Sequence, residues 1–297
     1  MRFANLILFF STGFKPLSEK DYFMARLLAF FQLLRPFNCL MATFAVYIGY
    51  AVSVHALQFN QQIGFAMIAA FLVCGAGQAI NDYFDAHIDK KKNPKKPIPS
   101  GTISARNALL FSLLLFACGN IFAFFVNQTA LAISIAFTLL LAAYSAFLGK
   151  AKWLGNWVVA AGTAFTLIFG AAVSGNYKIV WLLAASALLS NVVREIIKDN
   201  EDKLADKGYK KSLAMLLSHS QMITLVFVLS ITAFALSIMP LVLGLFGNAV
   251  FAILVLLANV LFFYAIFCFA KKDFHLAQQL SKAGMLFALI GFLAGVL

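Results

Sequence analysis

Eight of the eleven acidic residues fall in two short windows. The first reads Asn81-Asp82-Tyr83-Phe84-Asp85-Ala86-His87-Ile88-Asp89. The second runs Arg194-Glu195-Ile196-Ile197-Lys198-Asp199-Asn200-Glu201-Asp202 and on to Asp206. In each window three aspartates are spaced by three and then four residues: Asp82, Asp85 and Asp89, then Asp199, Asp202 and Asp206. On a helix this spacing stacks three carboxylates on one face, where like charges repel. One array of this kind is also what a solvated helix end can carry. Two of matched spacing, in a chain with only three acids outside the two windows, require a compensating cation. Hard carboxylate oxygens without His or Cys ligands select Mg²⁺ or Mn²⁺. Magnesium keeps water and substrate phosphates in its shell, so a two-sided acidic site beside Lys and Arg reads as a diphosphate site.

Basic residues accompany both arrays. The first leads into Lys90-Lys91-Lys92-Asn93-Pro94-Lys95-Lys96-Pro97-Ile98-Pro99-Ser100-Gly101, a loop whose prolines exclude a helix. On the second, Arg194 and Lys198 lie one turn apart where an apolar run ends, placed to bind diphosphate. The lysine run alone is equally an anchor at a membrane surface. His55, His87, His219 and His275 are scattered, and His87 lies off the acidic face of the first window. Cys39, Cys74, Cys118 and Cys268 form no CxxC and no Cys/His cluster, so they read as buried packing residues, with neither zinc nor disulfides indicated.

The elements that must position these residues follow from composition. Of 297 residues, 63% are apolar and 11% charged, and mean hydropathy is +0.91. Soluble domains carry about 45–50% and about 25% respectively. A soluble globule of this composition could not cover itself with polar surface. Runs of about 20 apolar residues read as transmembrane helices. They lie near 30–53, 63–83, 106–126, 129–148, 155–174, 178–196, 221–240, 246–269 and 280–297. The expected fold is all-α, a single polytopic membrane domain over 1–297 with nine spans and acidic motif regions at 81–101 and 194–211. Segment 1–25 has a basic start and a short apolar run from Phe3 to Phe10, but Ser11-Thr12-Gly13-Phe14 offers no signal-peptide cleavage site. An interfacial helix is expected there.

The net charge of +12 is distributed for a membrane and not for nucleic acid. Counted by connection, 22 of the 23 Lys and Arg fall on one side of the nine spans, Lys178 being the exception. The positive-inside rule puts that side, with the N-terminus and both acidic windows, in the cytoplasm of a multi-pass cell-membrane protein.

These residues carry a resemblance. N-D-Y-F-D-A-H-I-D followed by P-I-P-S-G, with R-E-I-I-K-D-N-E-D-x-x-x-D later, resembles the UbiA superfamily of intramembrane prenyltransferases. Within it the pattern is most similar to that of the archaeal digeranylgeranylglyceryl phosphate synthases. Arg35-Pro36-Phe37-Asn38 resembles the R-P-x-N of the family's first helix, and Tyr144 with Gly155-Asn156 its Y…G-N stretch. The chain departs from the pattern at Lys96, where arginine is usual, and at Gly149, the usual lysine being displaced to Lys150. The stretch after Asp206, with Gly208 and Lys210, is one residue short.

The resemblance implies nine helices around a central cavity and Mg²⁺-dependent prenyl transfer to build membrane lipid. Asn81, Asp82, Asp85 and Asp89 from one helix, with Asp199, Asp202 and Asp206 from the other, are the implied ligands of two Mg²⁺ ions, Mn²⁺ being an alternative. Asp85, Asp202 and Lys198 are the expected catalytic residues. Arg35, Asn38, Lys96, Tyr144, Lys150, Arg194 and Lys198 are the expected contacts to diphosphate or acceptor. The implied donor is geranylgeranyl diphosphate and the implied acceptor a lipid phosphate, geranylgeranylglyceryl phosphate. Two other readings use the same acids: a prenyltransferase for an aromatic acceptor of the quinone, chlorophyll or haem type, and a divalent-cation transporter. Transporters place ion sites near the bilayer midplane. Here the acids lie at the ends of spans, beside a basic loop.

Overall fold

The computed structural model describes residues 19–148, 151–203, 211–246 and 248–297, and among these every regular element is helical. In chain order they are α1 (Glu19–Leu34), α2 (Pro36–Val54), α3 (Gln61–Lys92), α4 (Ala105–Val126), α5 (Gln128–Ala143) with a π-helical turn at Tyr144–Leu148, α6 (Lys152–Ala171), α7 (Val180–Glu201), α8 (Leu213–Leu216), α9 (His219–Val242), α10 (Ala249–Ala270) and α11 (Phe274–Ala294). Nine helices among the described residues, all but α1 and α8, are long and apolar enough to cross a membrane, in agreement with the nine expected spans.

Local chemistry sets the helix starts. Side chains of Asn60, Ser104, Asn127, Ser218, Asn248 and Asp273 each accept the backbone N–H three residues on. Such caps supply acceptors for first-turn N–H groups that have no intrahelical partner. The cap at Asp273 starts the last helix at Phe274, several residues ahead of the expected 280.

Prolines set two further boundaries. A residue before proline is disfavoured in the right-handed helical region. Arg35, before Pro36, takes the left-handed conformation (φ 48°, ψ 65°) and divides α1 from α2, where the apolar run from residue 30 suggests continuity. Asn93, before Pro94, likewise leaves the helix at φ −139°. Until that point nothing stops α3, which extends to Lys92, well beyond the expected 83. The three acids of the first window therefore stand on one unbroken helix.

Of the interfacial segment expected at 1–25, residues 1–18 lie outside the described residues. Helix α1 overlaps only the end of that segment. It exposes Phe23, Met24, Leu27, Leu28 and Phe31 on one face, while Ala29 and Leu33 pack with Ala79, Ile103 and Ala108.

The helices fall into two groups whose most extensive junction is one close crossing. Helix α3 packs on α2, α4 and α5, while α7 packs on α6, α9 and α11. The two acid-bearing helices do not pack extensively on each other, and α2 and α6 join the groups. Glycine makes that crossing possible. A β-carbon on Gly49 would sit 2.0 Å from the Leu167 carbonyl oxygen, and one on Gly170 would sit 1.9 Å from that of Val46. Small residues let membrane helices approach to backbone contact. Gly170→Val is expected to force the helices apart and destabilise the fold by about 1–3 kcal/mol, read as a lower melting temperature in detergent. Gly64→Ala is the control, because its β-carbon would meet only the Phe59 ring at ordinary contact distance, 3.5 Å.

Candidate active site

Both acid arrays close a helix. Asp89 is in the last turn of α3, and Asp199 is in the last turn of α7 with Asp202 at its C-cap. A helix C-terminus carries roughly half a negative charge. Carboxylates there add to the dipole instead of opposing it, so each array is a strongly negative end that draws cations. Helix α7 stops at Glu201, so Asp202 stands just past its last residue. Asp206, like Lys150, lies outside the described residues.

On α3, Asp82 and Asp89 are buried and Asn81 and Asp85 half-buried, while His87 is exposed. Lys96, on the proline-rich loop, reaches back to bridge Asp82 (3.1 Å) and Asp89 (2.7 Å). Arg35 adds a second ion pair to Asp82 at 2.7 Å and donates to Gln78 Oε1 at 2.8 Å. The left-handed backbone at Arg35 thus belongs to a junction whose side chain is fixed by two bonds to α3. Asn81 donates to Asp85 one turn on, at 3.3 Å. Asn38 stands exposed on the first turn of α2. A cavity of about 480 Å³ opens beside Lys96, lined by Gln32, Asn93, Pro94, Lys95 and Pro97 as well.

On the second side, Asp199 is fully buried and accepts from the Asn156 amide at 2.7 Å. Tyr144 sits in the π-helical turn, a distortion frequent at functional sites. Its ring lies against α6 at Gly155, where a β-carbon would come within 2.6 Å of it. The Gly155-Asn156 pair therefore does two jobs: glycine makes room for the Tyr144 ring, and asparagine holds Asp199. Arg194 Nε donates to Asn191 Oδ1 at 3.0 Å, and Asn191 in turn donates to Thr163 Oγ1 at 2.6 Å. Arg194 Nη2 pairs with Oε1 of Glu195, and Lys198 Nζ lies 3.3 Å from Oε2 of the same carboxylate.

Sequence reasoning missed Gln78 and Asn191, and it placed Asn156 and Glu195 in motifs without giving either a role in the site. Their common signal was available: each is a polar side chain within an apolar span, where such groups are costly and have partners. Structure adds that Arg35 and Lys96, expected at the diphosphate, are paired with Asp82 and Asp89, expected at the metal.

The donor set fits a hard cation. Asp85, Asp199, Asp202 and the Asn81 amide offer only oxygen donors, the kind a hard cation takes, and they stand at two negative helix ends. Among the described residues no three acidic, His or Cys side chains converge into a complete cage.

The family profile described as the UbiA prenyltransferase family matches residues 42–291. The chain belongs to the UbiA prenyltransferase family. A digeranylgeranylglyceryl phosphate synthase of Methanococcoides burtonii is 35% identical over 280 residues, covering 90% of this chain and 99% of that protein. A solved structure concerning digeranylgeranylglyceryl phosphate synthase in membranes superposes with a TM-score of 0.79 at 31% identity, covering 91% of this UbiA-family chain and 98% of that one. The fold is shared more distantly with a UbiA homolog from Archaeoglobus fulgidus bound to GPP and Mg²⁺, at a TM-score of 0.63 and 14% identity, over 90% and 99% of the two chains. Membership makes this multi-pass membrane chain a prenyltransferase.

Proposed function

We propose that this protein is a digeranylgeranylglyceryl phosphate synthase. It transfers the geranylgeranyl group of geranylgeranyl diphosphate to the free hydroxyl of geranylgeranylglyceryl phosphate, in ether membrane-lipid biosynthesis. The observation that carries this reading is the pair of acid arrays closing α3 and α7 with cations beside each. The likeness to named synthases over about nine-tenths of the chain supports the choice of acceptor.

In this reading Asn81, Asp82, Asp85, Asp89, Asp199, Asp202 and Asp206 would hold two Mg²⁺ ions, which Mn²⁺ could replace. When bound, the metal supplies charge stabilisation to the diphosphate as it leaves. The Mg²⁺ and GPP of the Archaeoglobus fulgidus neighbour support a metal-bound prenyl diphosphate. The chain's own side chains do the rest. Arg194, Lys198, Lys96 and Lys150 donate charge-assisted hydrogen bonds to diphosphate oxygens. The allylic C–O bond breaks with its electron pair on the departing diphosphate. The acceptor's hydroxyl oxygen then bonds to the allylic carbon and gives up its proton, leaving a doubly prenylated glycerol phosphate and pyrophosphate. Surrounding helices keep water from the allylic cation. Arg35, Asn38 and Tyr144 complete the substrate contacts, and the basic end of the bundle faces the cytoplasm. An acceptor with an anionic head and a long chain suits such an end, its phosphate among cations and its chain among apolar helices.

The acceptor is tested by competition. Labelled geranylgeranyl diphosphate is supplied with geranylgeranylglyceryl phosphate and aromatic acids together, and the product is identified by mass. A doubly prenylated glycerol phosphate is expected. A prenylated aromatic acid, with none of the lipid product, would overturn the acceptor while leaving the metal chemistry intact.

A further inference from the structure

Glu195 is a buried acid that the proposed chemistry does not use. Its side chain is 4% exposed, whereas Arg194 and Lys198 are 20% and 38% exposed. The carboxylate takes one cation on each oxygen, Arg194 on Oε1 and Lys198 on Oε2, the latter at 3.3 Å. Arg194 is also held from behind, since its Nε donates to Asn191, which is anchored on Thr163 of the neighbouring helix. Two cations one turn apart on a helix repel each other, and a buried carboxylate between them relieves that repulsion. A carboxylate and a phosphoryl group present the same kind of charged oxygen acceptor to Arg and Lys. A diphosphate therefore competes with Glu195 for the same N–H donors.

We propose that Glu195 is an internal counter-ion: the diphosphate displaces it from Arg194 and Lys198, and it recaptures them as pyrophosphate leaves. Glu195 is thus a positioning residue that limits how tightly the site holds its product. This rests on the reading that Arg194 and Lys198 bind the diphosphate. Its consequence has a definite sign. A purely structural role predicts that losing the carboxylate weakens anion binding by misplacing the cations. A competing counter-ion predicts that losing it strengthens anion binding, because two charge-assisted bonds no longer have to be exchanged. Tighter binding of that kind acts on substrate and product alike and slows product release.

The test uses the full-length protein in detergent micelles with Mg²⁺, labelled geranylgeranyl diphosphate and lipid acceptor, and inorganic pyrophosphate as inhibitor. In Glu195→Gln the inhibition constant of pyrophosphate and the KM of the donor are both expected to fall about tenfold. Glu195→Asp keeps the charge on a side chain too short to span both cations, and is expected to fall about threefold; it decides the matter if the glutamine variant does not fold. Glu201→Gln removes a charge from the same helix, one that pairs instead with His275 at 3.0 Å and Gln278 at 2.8 Å. It is expected to change neither constant by more than twofold. Unchanged or weaker pyrophosphate inhibition in the Glu195 variants, or an equal gain in Glu201→Gln, overturns the counter-ion. Arg194→Gln and Lys198→Gln separate this from the reading beneath it. If neither weakens pyrophosphate inhibition, the diphosphate assignment of those cations fails. If both do and Glu195→Gln does not tighten it, only the counter-ion fails.

Discussion

Replacing Asp85 or Asp202 with asparagine is expected to cut turnover at least ~100-fold, about 2.7 kcal/mol of transition-state stabilisation, while the protein stays folded. The substitution keeps size and hydrogen-bonding capacity and removes one negative charge. Asp85 is half-buried on α3, and Asp202 is half-buried at the C-cap of α7. What disappears is the charge that holds a divalent cation against the leaving diphosphate, a role worth several kcal/mol. The measurement is single-turnover prenyl transfer at saturating donor, with the melting temperature of each variant as the folding control. Asp82→Asn makes the contrast. Its carboxylate is engaged by Arg35 at 2.7 Å and Lys96 at 3.1 Å, so the same change there also loosens the junction of α1, α2 and the proline-rich loop. The larger fall in melting temperature is expected at Asp82. Near wild-type turnover in Asp85→Asn or Asp202→Asn removes that carboxylate from the metal set.

Chelation is expected to abolish turnover altogether, with Mg²⁺ restoring it and Mn²⁺ able to substitute. The physical ground is electrostatic. Two helix C-termini, each with a negative dipole end and added aspartates, would repel a diphosphate unless cations lay between them. Arg35, Lys96, Arg194 and Lys198 cannot do this alone, because each is paired with an acid of the site. Activity should fall to background in excess EDTA and return in proportion to added Mg²⁺. Donor binding, measured by equilibrium dialysis with labelled geranylgeranyl diphosphate, should fall in parallel. Full turnover in chelator would falsify metal-assisted prenyl transfer for this chain.

The membrane class, the number of spans and the two acid arrays were legible in the sequence because each is a local property. A span needs about 20 apolar residues to cross the hydrocarbon core, whatever it packs against. Likewise Asp82, Asp85 and Asp89 share a helix face through spacing alone. Pro36 and Pro94 are local signals of the same kind. They restrict Arg35 and Asn93 through contacts with the next residue, and the ends of α1 and α3 follow.

Tertiary structure alone decided which charge meets which. Arg35 finds Asp82 across 47 residues, and Asn156 finds Asp199 across 43. No periodicity in the chain encodes either pairing. Both depend on how α2 seats against α3 and α6 against α7, and the seating of α2 on α6 depends in turn on Gly49 and Gly170 meeting backbone at the crossing. Spacing shows what a helix would place on one face, but where a helix stops depends on capping and packing around its end. Helix α3 runs on under Asp82, Asp85 and Asp89 to Lys92, whereas α7 ends at Glu201 with Asp202 at its C-cap.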